Sequence, residues 1–202
     1  MYLQRRKLCR IHFSECFRKG MMEQKMEQKM EQENLQGKER RRNVLQEIWE
    51  HPLYAEAYRQ LQEAEQGRKF CCHSAEHFLD VARIAYIQNL EEGLGIRREV
   101  LYAAALLHDI GKALQYKERI PHEIASAEIA GTILNDLGDE FSKEEKAAIL
   151  QAIRGHRSSR NGQTDLERLL YESDKKSRLC FICPAEAECN WEQAKKNMEV
   201  DR

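Results

Sequence analysis

The chain has 202 residues, 42% of them hydrophobic and 33% charged, with a net charge of −1. That is enough for one domain of ordinary size with an extension, and the near-neutral balance excludes a global polycation of the nucleic-acid-binding kind. No apolar run reaches the roughly 18 residues of a membrane-spanning helix.

Charge is nonetheless uneven. Residues 1–42 hold 12 Lys/Arg against 6 Glu. Within them, MMEQKMEQKMEQE at 21–33 repeats a four-residue unit with too little apolar surface to pack. We read 1–42 as a disordered basic tail, with Met21 or Met22 as alternative first residues. Its Lys and Glu interleave, which argues against a nucleic-acid or membrane arm. The N-terminus also lacks the apolar core of a signal peptide. Seven cysteines without such a signal point to a reducing, cytoplasmic compartment, where clustered thiols are metal ligands or free rather than disulfides.

From Asn43 the pattern becomes helical. Val44, Leu45, Ile48 and Trp49 recur at helical spacing until His51-Pro52 interrupts them. A second helix is predicted from Leu53 to Gln66, ended by Gly67. Ser74 can cap a long helix whose apolar residues run from Phe78 to Ile87, and Gly93 and Gly95 stop it. Arg97–Asp109, containing VLYAAALLHD, is apolar almost throughout and predicts a buried helix. Pro121 opens the next at a first-turn position. Ser142 with Glu145, and Thr164 with Glu167, each match a capping box ahead of an apolar-periodic run. No stretch alternates long enough for a strand. The expectation is an all-α compact helical bundle over 43–178, followed by a Cys-containing segment, 179–202, packed on it.

Five of the seven histidines lie between positions 73 and 156. Taken singly, each has an ordinary explanation. His77 on an apolar face is most simply a hydrogen-bonded core histidine, and Asp174 a solvated charge near a helix end. His51 before a proline suits a turn, and His12 falls in the tail. The set is harder to explain that way. His108 and Asp109 end an apolar helix side by side, and both are costly to bury unless paired. A divalent cation supplies the pairing, and imidazole with carboxylate is the usual ligand mix for Mn, Fe, Zn or Ni. Asp109 is short enough to bridge two ions, and His122 and His156 can complete a second coordination sphere.

HFLDVARIA at 77–85, LLHDIGK at 106–112 and SDKKS at 173–177 resemble the successive motifs of the HD superfamily of metal-dependent phosphohydrolases. The resemblance covers about 70–178 and implies a metal site of His77, His108, Asp109 and Asp174. Two-metal members add two intervening histidines, and His122 and His156 stand in the matching order. His73 shares a helix face with His77; the His-x-x-x-Val-Ala spacing favours His77, with His73 as a pocket residue.

The resemblance implies a phosphohydrolase carrying one or two Mn or Fe ions, acting on a small phosphorylated molecule such as a nucleotide or dinucleotide. Asp109 and Lys112 are the candidate catalytic residues, Lys112 binding phosphate or pairing with a ligand carboxylate. Arg154 and Arg157 flank His156 and can bind phosphate, while Asp80, three residues past His77 on the same face, either pairs with Arg83 or takes a role at the site. Two other readings share the ligand order: a di-iron oxygenase acting on a small organic substrate, and a nucleotide- or redox-sensing module without turnover. Cys71, Cys180, Cys183 and Cys189 form a separate candidate site for zinc or an iron–sulfur cluster, with free thiols as the alternative. Cys9 and Cys16 are read as incidental.

Overall fold

The computed structural model describes residues 43–158 and 162–200. The segment 1–42, read above as a disordered tail, lies outside them, and Cys9, Cys16 and His12 with it. The described residues form eight α-helices and no strand: α1 (Val44–Glu50), α2 (Pro52–Ala64), α3 (Ala75–Glu91), α4 (Arg98–Leu107), α5 (Lys112–Glu118), α6 (His122–Asp136), α7 (Lys143–Gly155) and α8 (Asp165–Lys176). Short 3-10 turns follow α6 and fill the segment after α8.

Helix α4 is the axis of the bundle. Every residue from Ala103 to Ile110 is buried, and α1, α3, α6, α7 and α8 all pack on the helix. A helix surrounded on all sides needs apolar residues all round. The run Ala103-Ala104-Ala105 also keeps it thin enough for neighbours to approach closely. Phe78 and Val81 from α3, Ile133 and Leu134 from α6, Ile149 and Ile153 from α7, and Leu169 from α8 complete the core, each fully buried.

Local chemistry sets the helix boundaries. Ser142 Oγ and Thr164 Oγ1 each accept from the backbone N–H three residues on, and Glu145 and Glu167 return the bond to the cap's own N–H. Ser74 Oγ accepts from His77 N at 3.5 Å. Gly93 and Gly95, both at positive φ, turn the chain after α3. His51 does more than sit in a turn: its Nδ1 accepts from Leu53 N at 3.2 Å, capping α2. Pro121 precedes the first helical residue of α6 rather than occupying it.

The apolar pattern of α4 gives no hint that another helix begins three residues after Asp109. The chain turns at 108–111 and re-enters helix at Lys112. The turn is possible only because residue 111 is glycine: a Cβ there would lie 2.7 Å from the backbone carbon of Ala125 and closer still to Ser126 N. Gly111 N donates to Ser126 Oγ at 2.9 Å, locking the His108-Asp109 turn onto α6.

Candidate metal centre

Four histidine rings and two carboxylates meet where α3, α4, α6, α7 and α8 converge. His77 comes from the first turn of α3, His108 and Asp109 from the end of α4, His122 from the start of α6, His156 from the end of α7 and Asp174 from the last turn of α8. Their ligand atoms form two groups, each with all members within 4.8 Å of one another: His77, His108, Asp109 and Asp174, then Asp109, His122 and His156. Asp109 belongs to both. Its Oδ2 lies 3.3 Å from His108 Nε2, and its Oδ1 lies 3.0 Å from His122 Nε2 and 3.5 Å from His156 Nε2.

Each ring is oriented from behind. His108 Nδ1 donates to Ala105 O at 2.7 Å and His156 Nδ1 to Ile153 O at 2.6 Å. Ser177 Oγ donates to Asp174 O at 2.9 Å, so it accepts from His77 Nδ1 at 3.2 Å. His122 Nδ1 donates to Gln115 Oε1. Every Nδ1 therefore carries the proton, and every Nε2 presents a bare lone pair to the centre.

Lone pairs so arranged need a cation. His122 Nε2 and His156 Nε2 face each other at 3.2 Å, where neither has a proton to offer. His77 Nε2, His108 Nε2 and Asp109 Oδ1 are buried without a hydrogen-bond partner. Abandoning a buried polar atom costs about 1–3 kcal/mol, and three such atoms point at one place. Neutral imidazole with carboxylate fits a divalent transition metal.

The electrostatics agree. Burial pushes the His77 imidazole down to about 3 and is abetted by the neighbouring His108. Burial also lowers His122, more than Asp109 can offset. Both rings therefore stay neutral and ready to ligate. Burial works against the charge of Asp174, yet Arg178 and Lys175 hold it ionised, well below the usual carboxylate range.

His73 behaves differently. It lies between two carboxylates, Nδ1 at 2.6 Å from Glu65 Oε1 and Nε2 at 3.2 Å from Asp109 Oδ2. Burial opposes its charge, but these hydrogen bonds win and raise it to about 9. Glu65 also accepts from His73 N and Tyr116 Oη. Nothing in the local sequence of α2 marks Glu65, because its partner stands eight residues away.

The centre opens into a cavity of about 450 Å³ with a cationic wall: Lys112, Arg157, Lys175, Arg178 and Lys195 line it. Lys112 Nζ is 4.0 Å from Asp109 Oδ1. Arg157 pairs with Glu123 at 3.1 Å. Arg154 is exposed and does not line the cavity. Asp80 pairs with Arg83 at 3.2 Å. Arg178, not singled out from the sequence, stacks 3.8 Å above the Trp191 ring and bonds Asp174 Oδ2 at 3.3 Å. Its position four residues after Asp174 on a helix end was the available signal.

Cys71, Cys72, Cys180, Cys183 and Cys189 line a second cavity, of about 300 Å³, which His77 and Arg178 also line.

The family model described as HD domain matches residues 74–185. The chain is 48% identical over 136 residues to an uncharacterized protein of Clostridium beijerinckii, covering 67% of this chain and 84% of that one. It is 36% identical over 89 residues to ribonuclease Y of Chloroflexus aurantiacus, covering 44% of this chain and 15% of that protein. Its fold is similar to the crystal structure of a predicted HD superfamily hydrolase from an uncultured Thermotogales bacterium, with a TM-score of 0.52 and 23% identity over 76% of this chain and 87% of that one. At that identity the likeness speaks for the fold alone.

Proposed function

This chain belongs to the HD domain family, and on that premise we propose that it hydrolyses a phosphate ester or phosphoanhydride of a nucleotide or dinucleotide. The observation that carries the reading is the sharing of Asp109 between two groups of bare imidazole lone pairs beside a cationic cavity. A bound divalent ion, manganese or iron, lowers the pKa of coordinated water towards neutrality and polarises a phosphoryl oxygen.

The chain's own residues supply the rest. Asp109 directs one oxygen to each half of the centre, and Ser177, Gln115 and two backbone carbonyls keep each Nε2 free of a proton. Lys112, Lys175 and Arg178 present cations to a phosphate, with Arg178 Nη1 buried and without a hydrogen-bond partner. Trp191 and Tyr171 offer aromatic surface at the same cavity, suited to a nucleobase. Similarity to a protein named as a ribonuclease supports a phosphate-ester substrate. The cationic lining favours an anionic, phosphorylated substrate.

The test is a panel of nucleotides and dinucleotides incubated with protein reconstituted with manganese or iron. The reading expects phosphate-ester cleavage that Asp109→Ala abolishes. Metal-loaded protein that consumes oxygen, or binds nucleotides without cleaving any, contradicts it.

A further inference from the structure

The cysteine cavity is not used by the chemistry above. Cys71 lies in the stretch between α2 and α3, and the other three thiols follow α8. Two successive 3-10 turns, Cys180–Ile182 and Glu186–Glu188, each end on a cysteine: Cys183 N donates to Cys180 O at 3.2 Å, and Cys189 N to Glu186 O at 3.1 Å. The two turns bring Cys180, Cys183 and Cys189 to the cavity that Cys71 also lines. Phe70 and Leu179 supply apolar lining, and Lys196 a cation. Lys196 Nζ is bound to Glu186 Oε1 at 2.6 Å and holds its proton more tightly because of that carboxylate, with smaller help from Cys189 and Cys180.

Cys72 lines the same cavity, but its Sγ–H is taken up by Phe70 O, which leaves Cys71 as the fourth thiol of the set. Burial raises the Cys71 thiol, Arg178 pulls it down in part, and Cys180 and Cys183 are close enough to add to the rise. Cys72 turns its Sγ–H towards Phe70 O at 3.4 Å and feels Glu65 and Arg68 instead.

The spacing of the sulfurs separates the candidate ligands. A single zinc draws four sulfurs to about 2.3 Å from one point. Among the described residues, the groups of ligand atoms within 4.8 Å of one another are the two at the metal centre, and neither contains a cysteine. Four thiols around a cavity of about 300 Å³ match the wider frame of a cubane held by one cysteine per iron.

We propose that Cys71, Cys180, Cys183 and Cys189 bind a [4Fe–4S] cluster that staples the segment after α8 to the stretch before α3. The thiols bind as thiolates, releasing their protons. The same segment carries Asn190, Trp191 and Lys195 to the catalytic cavity, and Arg178 lines both cavities. The cluster thus holds one wall of the substrate pocket in place.

The test is iron and acid-labile sulfide analysis of the full chain purified without oxygen, with visible absorption before and after dithionite. The proposal expects about four sulfides per chain and a colour that dithionite bleaches. Cys183→Ala and Cys71→Ala should lose both, with helical circular dichroism retained over the bundle, and Cys72→Ala should keep both. Asp109→Ala should lose the metal centre's ions and keep the sulfide, which separates the two sites. One tightly bound zinc without sulfide, no sulfide at all, or a cluster that survives Cys183→Ala would each overturn the proposal.

Discussion

Single hydrogen bonds decide what each histidine of the centre does. His77 and His73 stand four residues apart, yet one is driven neutral and the other is held charged. Burial acts on both; only His73 has two carboxylates in hydrogen-bond reach to overcome it. In chelator-treated protein this makes opposite predictions about stability. The unfolded chain takes up protons on His77 near pH 6.5, whereas the folded ring resists down to about 3. Its contribution is therefore lost as pH falls from 6.5 to 3. His73, protonated in the fold up to about 9, contributes fully below 6.5 and is lost as pH rises from 6.5 to 9. Urea titrations of metal-free protein should show the alkaline decline flattened in His73→Gln and the acid decline flattened in His77→Gln. Identical profiles for wild type and both variants would contradict the assignment. At the same scale, Gln115→Ala frees the His122 tautomer and should weaken metal binding roughly 10- to 100-fold, as measured by competition with a chelator. An unchanged affinity would mean that Gln115 orients nothing.

Helices and turns carry these side chains to one place, and the turn after α4 does most. Gly111 lets the backbone press against Ala125 and Ser126, which fixes the direction of Asp109 relative to His122. Gly111→Ala forces the turn off α6. It should cost about 1–3 kcal/mol, as overpacking does, and lower metal occupancy as well. Thr164→Ala removes the cap of α8 and should cost about 1 kcal/mol without changing occupancy, since Asp174 lies at the far end of that helix. Thermal melts alongside metal analysis distinguish the two; equal loss of metal in both would show that the turn has no special role. The sequence was legible in the same uneven way. Helices α3, α7 and α8 show their caps and apolar periods directly, α4 shows as a wholly apolar run, and His108-Asp109 stands out because a polar pair ends that run. Helix α5 was hidden, being short and amphiphilic, with only Ala113 buried. Glu65, Gln115 and Ser177 escaped for a different reason. Their roles consist of bonds to residues brought near by packing, and no local pattern records such a bond.

At the level of the whole molecule, metal binding and folding are coupled. Five helices each contribute a ligand or a ligand pair, so ions that bind only the assembled centre stabilise the fold by mass action. Adding manganese or iron to the chelated protein should raise its melting temperature in a concentration-dependent way, and Asp109→Ala should abolish that rise. A similar arrangement holds at the C-terminal side, where Arg178 stands between the metal centre and the cysteine cavity. The cavity at the metal centre is accordingly lined by both the bundle and the segment after it. Among the described residues no helix is long and apolar enough to cross a membrane.

The central claim is that Asp109 serves two metal subsites at once, one completed by His77, His108 and Asp174 and the other by His122 and His156. Its most direct test is metal stoichiometry by equilibrium dialysis, on a background in which the cysteine site has been removed by Cys183→Ala. Wild-type ligands should hold about two ions, His156→Ala about one, and Asp109→Ala none at comparable affinity. Two ions retained by Asp109→Ala, or a single ion indifferent to His156→Ala, would contradict the shared centre.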